Sequence, residues 1–238
     1  MAAHTILGET VTMPVEIRAA RACTALFTVH ERPARNLLAD AGLVPVRPLP
    51  GRAVCALAFV QYTDGDLGPY HEFAVTVLCR QPGRQPGRQS GRRGTTGAYV
   101  HWLPVNQSFT CEAGRSIWGF PKENVDIDLS FAGPTKTCEV APGGRTAVAL
   151  RVSRGVPVPS GTGAASVDAY TWQGGTLRRT PWHMATSGVR ARFGGAHLEL
   201  GDHPVADQLR ELGLPRTAVL TSEISTLRMT FSDAQELR

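Results

Sequence analysis

The feature that most limits what this chain can fold into is a succession of short apolar runs, each cut off by glycine, proline or aspartate. Residues 22–29, 53–62 and 72–79 read Ala-Cys-Thr-Ala-Leu-Phe-Thr-Val, Ala-Val-Cys-Ala-Leu-Ala-Phe-Val-Gln-Tyr and Glu-Phe-Ala-Val-Thr-Val-Leu-Cys. Their β-branched and aromatic side chains crowd a helix but fit a pleated surface, so these runs are predicted strands. Asp64-Gly65-Asp66-Leu67-Gly68-Pro69 has the composition of a turn joining the second to the third. Strand-like runs continue at 98–105, 124–130, 145–153, 166–173, 176–186 and 217–231, with Gly143-Gly144 and Gly174-Gly175 placed as hairpin turns.

Three short helices interrupt the pattern. Glu31–Ala41 opens behind His30 and stops near Gly42. Asn106–Trp118 has Asn106 or Ser108 as candidate caps. Asp202–Leu212 has Asp202 as its expected cap, Pro204 in the first turn and Gly213 as its stop. Many strands with a few inserted helices predict an α+β fold, mainly antiparallel β, as a barrel or sandwich in one domain over residues 1–238. The 42% hydrophobic content is enough for a sizeable core. No stretch approaches the roughly 20 apolar residues of a membrane span, and the first residues lack a basic-then-apolar leader, so a cytoplasmic protein off the membrane is expected.

The net charge of +5 is concentrated in one place. Residues 80–93 repeat Gln-Pro-Gly-Arg and hold five arginines without an acid; the rest of the chain balances 20 basic against 20 acidic residues. Such a repeat cannot bury a core, so 80–98 is expected to be a mobile loop at the tip of a long hairpin. It has no aromatic residue for base stacking, which argues against a nucleic-acid partner. Five widely spaced cysteines and seven scattered histidines show no metal-ligand spacing and no disulfide framework, and no metal or cofactor is expected. Cys111 lies nearest the motif described next, but a place in the core suits it better.

Of 25 basic residues only Lys122 and Lys136 are lysine. Arginine supplies fixed charge, whereas a desolvated lysine can shed its proton and act as an amine. Lys136 sits in the polar run Gly133-Pro134-Thr135-Lys136-Thr137, where simple persistence explains it. Lys122 closes the run Gly114-Arg115-Ser116-Ile117-Trp118-Gly119-Phe120-Pro121-Lys122, leaving a predicted helix at Gly119 and entering an extended segment. Trp118 and Phe120 flank it with large apolar surface, a setting that favours a neutral, nucleophilic amine.

This stretch resembles the active-site segment of the acetoacetate decarboxylase family, Gly-Arg-Glu-x-x-(Gly/Ala)-(Tyr/Phe)-Pro-Lys. Leu67-Gly68-Pro69-Tyr70-His71-Glu72 before a strand, and the spacing from Glu72 to Lys122, extend the likeness over most of the chain. The resemblance implies a cone-like barrel, a homo-oligomer, and a lysine, Lys122, that forms a Schiff base with a small carbonyl substrate. It also implies that Glu72 is an active-site acid. Arg21, with Arg18 three residues away, falls near the family's carboxylate-binding arginine, and Arg115 suits a structural role. Tyr70, Trp118 and Phe120 are candidate substrate-binding residues.

Two departures qualify the likeness. The family's decarboxylases carry a second lysine directly after the nucleophile, where this chain has Glu123, itself a candidate catalytic residue. A further acid expected on the preceding strand has no counterpart in residues 53–60. Both changes remove groups that the family's decarboxylases carry, so efficient decarboxylation of acetoacetate is not expected. The expected function is therefore a lyase acting through a lysine Schiff base on a keto acid or other carbonyl compound, by decarboxylation or by aldol and dehydration steps. A non-covalent cyclase or isomerase of a polyketide-like intermediate, and a non-catalytic carrier of an apolar carbonyl compound, are the alternatives.

Overall fold

The structure, a computed structural model, describes residues 2–82, 96–159 and 163–237. The elements in order are β1 (Ala3–Ile6), β2 (Glu9–Thr12), β3 (Val15–His30), α1 (Glu31–Leu37), β4 (Val44–Pro45), β5 (Arg52–Gly65), β6 (Tyr70–Arg80) and β7 (Gly97–Val105). Next come α2 (Ser108–Trp118), β8 (Lys122–Asn124), β9 (Asp126–Ser130), β10 (Thr135–Ala141), β11 (Val148–Ser153), β12 (Val156–Pro157) and β13 (Gly163–Gln173). The chain ends with β14 (Thr176–Arg192), β15 (Ala196–Leu200), α3 (Pro204–Glu211), β16 (Leu220–Phe231) and β17 (Gln235–Leu237).

Strands β3, β5, β6, β7, β13, β14 and β16 pair in that order and β16 returns to β3, so the hydrogen-bonded path closes into a barrel. Closure leaves these strands without free edges. Among the described residues only the β7–β13 and β7–β8 pairings are parallel. The α+β, mainly antiparallel barrel read from the sequence is the observed fold. A second sheet, ordered β15-β11-β10-β9, packs over one face of the main sheet together with α3.

Strand alternation decides what each face does. On β3, Cys23, Ala25, Phe27 and Val29 point to the face covered by the smaller sheet. Phe27, Phe59 and Phe73 are fully buried there, each stabilising the fold by about 1.5–3 kcal/mol through lost apolar surface. Ala20 and Ala22 point the other way, toward Val60 and Tyr62 of β5, Tyr70 of β6, the helix α2 and the β1–β2 hairpin. This second apolar cluster surrounds the candidate site.

The two glycine-pair turns stand where expected, while the helix caps shift. The Gly174-Gly175 turn is a two-residue hairpin pairing Gln173 with Thr176, its φ values of 58° and 81° being those that glycine supplies freely. Gly143 and Gly144 lie between the paired strands β10 and β11. The caps move by one residue: α2 starts behind Gln107 rather than Asn106 or Ser108, and α3 behind His203 rather than Asp202, because those side chains reach the free amides of Thr110 and Val205. The arginine repeat falls largely outside the described residues, but Cys79 pairs with Gly97, so the segment does join neighbouring antiparallel strands. No helix among the described residues is long and apolar enough to cross a membrane.

Candidate active site

The site is built from the far end of α2, the short strand β8 and the β5–β6 hairpin. Gln107 accepts the Thr110 amide at 2.5 Å and sets the start of α2. The helix lays Cys111, Ala113 and Ile117 into the second core cluster. It stops at Gly119, whose φ of 66° is left-handed; the amides of Gly119 and Phe120 turn back onto the carbonyls of Arg115 and Gly114. Pro121 follows, and Lys122 enters β8 opposite Leu103 of β7.

Two members of the motif act directly on this lysine. The Arg115 Nε donates to the Lys122 carbonyl at 2.6 Å, fixing the backbone of β8 against the helix. The Lys122 side chain then crosses α2 over Gly114, where a Cβ would stand 2.4 Å from Cδ and 2.7 Å from Cε. Only a residue without a side chain lets the butyl chain pass. The amine ends buried, 3% exposed, beside a buried carboxylate.

That carboxylate is Glu72, whose Oε2 lies 3.0 Å from the Lys122 Nζ. Nζ also donates to Thr110 Oγ1 at 3.2 Å, and sits 5.0 Å from the centre of the Tyr70 ring. The Tyr62 hydroxyl donates to Glu72 Oε1 at 2.8 Å, so the glutamate has one oxygen on the amine and one on a phenol. Tyr62 and Tyr70 are paired across the hairpin and stack at 4.2 Å. Burial, and then the charge of Glu72, hold both phenols well above the usual tyrosine range, so both stay neutral and Tyr62 remains a donor to Glu72. A cleft of about 330 Å³ opens beside them, walled by Tyr62, Tyr70, Pro69, His71, Asn106 and Gln107. A larger depression of about 460 Å³ by His30, Arg32 and Arg35 lies at α1, away from these groups; the smaller cleft adjoins the buried phenols Tyr62 and Tyr70, and neither Lys122 nor Glu72 lines it.

The structure brings Lys122, Glu72 and Tyr70 together but separates two of the expected residues. Glu123 is the next residue on β8, so strand alternation turns it away, and among the described residues the amine pairs with Glu72 alone. Arg21 is exposed and opposite Gln61, which lies opposite His71. That row belongs to the face of the sheet away from Glu72, which stands opposite Val60. Arg18, its neighbour, is taken up by Asp64 and Asp66 on the surface. Trp118 and Phe120 stack on each other, Trp118 packs on Phe231, and its indole donates to the Ser232 carbonyl. They anchor the end of α2.

Thr110 and Tyr62 are absent from the residues expected from the sequence. Both carried a signal: Thr110 is four residues before Gly114 on one helix face, and a hairpin closing through Asp64–Pro69 sets Tyr62 against Tyr70. Lys136 departs from its expectation too. It is buried on β10 with Cys138 and Val140, donates to the Gly133 carbonyl at 2.5 Å, and meets Glu223 at 3.3 Å on the other face of the sheet. The five cysteines are free and buried, as their spacing suggested. Among the described residues no cluster of three or more histidine, cysteine or acidic side chains could hold a metal ion.

The sequence pattern of the family described as acetoacetate decarboxylase (ADC) matches residues 7–235. No curated protein matches the chain. Acetoacetate decarboxylase from Legionella pneumophila superposes with a TM-score of 0.69 at 15% identity, over 94% of this chain and 87% of that one. The enduracididine biosynthesis enzyme MppR, in complex with the condensation product of pyruvate and imidazole 4-carboxaldehyde, gives 0.68 at 16%, over 95% and 90%. An acetoacetate decarboxylase-like enzyme from Sphingomonas wittichii gives 0.61 at 17%, over 97% and 96%. At these identities the likeness establishes a common fold.

Proposed function

The chain belongs to the acetoacetate decarboxylase family, and from that premise we propose that it is a lyase-type enzyme that converts a small carbonyl substrate through a Schiff base on Lys122. The observation that carries this is the buried amine itself, 3.0 Å from Glu72 and 3.2 Å from Thr110. A buried ion pair adds little stability over apolar residues of the same volume, but Lys136–Glu223 is also buried; what sets the Lys122 pair apart is its place in the family motif, with Thr110 and the Tyr62 phenol bonded to its two members.

Glu72 Oε2 takes a proton from the Lys122 ammonium and leaves a neutral amine. The amine adds to the carbonyl carbon: the C–N bond forms, the C–O π bond breaks, and proton transfer within the adduct gives a neutral carbinolamine. Glu72 returns its proton to the hydroxyl, the C–O bond breaks, and water departs from an iminium facing the regenerated carboxylate. Tyr62 holds the second oxygen of Glu72 throughout. The iminium then accepts the electron pair of a breaking Cα–Cβ bond, or Glu72 removes an α-proton to give an enamine that adds to an aldehyde or expels a β-hydroxyl as water. The MppR complex, with its pyruvate–aldehyde condensation product, shows that a protein of this fold accommodates such a product.

The test is cyanoborohydride reduction in the presence of a panel of ketones and aldehydes, followed by peptide mass mapping. With only two lysines in the chain the map is simple. The expected result is a reduced adduct on Lys122, none on Lys136, and loss of labelling in Lys122→Met. No adduct on Lys122 with any carbonyl compound overturns the proposal.

A further inference from the structure

We infer that the substrate is electrically neutral around its reacting carbonyl, an aldehyde, ketone or keto ester rather than a keto acid, so that this site makes or breaks aldol bonds or eliminates water instead of releasing carbon dioxide. The inference rests on the Schiff-base reading and concerns what the pocket does with charge.

Among the described residues the buried cations are Lys122 and Lys136. Lys136 belongs to Glu223 on the opposite face of the sheet. The charge of Lys122 is already matched by Glu72 at 3.0 Å. The remaining groups around the amine are neutral: Thr110, the Tyr70 ring and the Tyr62 phenol. The motif arginine and the arginine expected to bind a carboxylate serve elsewhere, since the Arg115 Nε is bonded to the Lys122 carbonyl and Arg21 is exposed on the far face. The lining of the cluster is apolar, with Ala20, Ala22, Val60, Leu103, Leu227 and Met229.

An iminium facing the Glu72 carboxylate is a neutral pair, and so is an enamine facing the protonated acid. Every step of imine formation, aldol cleavage and dehydration moves a proton between those two groups and leaves the pocket's net charge unchanged. A keto acid adds a second carboxylate to the same space. Two carboxylates then share one cation away from water, and like charges so placed repel strongly. The group that speeds imine formation therefore works against an anionic substrate.

Matched pairs test this: pyruvate against methyl pyruvate, and acetoacetate against methyl acetoacetate. The readout is the rate of cyanoborohydride labelling at Lys122, divided by the rate for a simple primary amine with the same compound. The expected result is a normalised preference for each ester of tenfold or more in the native protein. In Glu72→Gln, where the iminium lacks its counter-ion, the preference collapses toward one or reverses. Acids labelling as fast as their esters in the native protein, or an ester preference unchanged in Glu72→Gln, overturns this inference while leaving the Schiff base intact. No labelling with any of the four overturns the Schiff-base reading and this inference with it.

Discussion

A methyl group on Gly114 would stand 2.4 Å from Cδ of Lys122, in the middle of a buried chain that has nowhere to swing. Gly114→Ala is therefore expected to displace the amine from Glu72 and Thr110, cutting Lys122 labelling at least tenfold and costing about 1–3 kcal/mol of stability through overpacking. Peptide mapping and urea denaturation of the variant measure the two effects. Tyr62→Phe removes the donor to Glu72 Oε1 while keeping the ring that stacks on Tyr70. A carboxylate free to rotate loses alignment with the amine, so imine formation should slow by about tenfold to a hundredfold with the fold retained; a variant labelling at the native rate would remove Tyr62 from the site. The lysine and Glu72 were legible from the motif and its resemblance. Their supports were not, because Tyr62 and Thr110 matter through register and helix face, which exist only once the strands are paired. Glu123 misled for the complementary reason: adjacency in sequence means opposite faces in a strand.

At the scale of elements, composition identified the long barrel strands, since β3, β5 and β6 are dense in Val, Phe, Thr and Cys. It missed the β1–β2 hairpin, whose turn is Leu7-Gly8 with Leu7 at a φ of 48°, a position where leucine gives no turn signal. It also missed β10, because the buried Lys136 broke the apolar alternation of that strand. The Lys136–Glu223 pair ties the smaller sheet to β16 with side chains 8% and 13% exposed. Removing one partner strands the other charge, so Lys136→Met should cost about 3–5 kcal/mol, and Lys136→Met with Glu223→Leu should recover most of it. Urea midpoints decide; a single variant as stable as the native chain would make the pair incidental.

For the whole molecule, packing of the smaller sheet on the barrel buries thiols of both, and burial pushes Cys23, Cys55 and Cys79 up to about 12 and Cys138 higher still. An unfolded chain ionises the same thiols near about 8.5. Above that pH the unfolded state has lost protons that the folded state retains, so this contribution, full below it, declines as pH rises toward 12. Urea midpoints should fall between pH 8 and 10, with a shallower fall in Cys55→Ala; a flat profile would contradict it. The central claim, that Lys122 exchanges its nitrogen for the oxygen of a substrate carbonyl, is tested most directly in water enriched in oxygen-18. Each cycle of imine formation and hydrolysis releases the original oxygen as water and returns one from solvent. A neutral ketone incubated with the protein should gain the heavy isotope well above its spontaneous rate, more slowly with Glu72→Gln and at the spontaneous rate with Lys122→Met. Enrichment that persists in Lys122→Met, or a native protein that transforms the ketone while its carbonyl keeps oxygen-16, would contradict it.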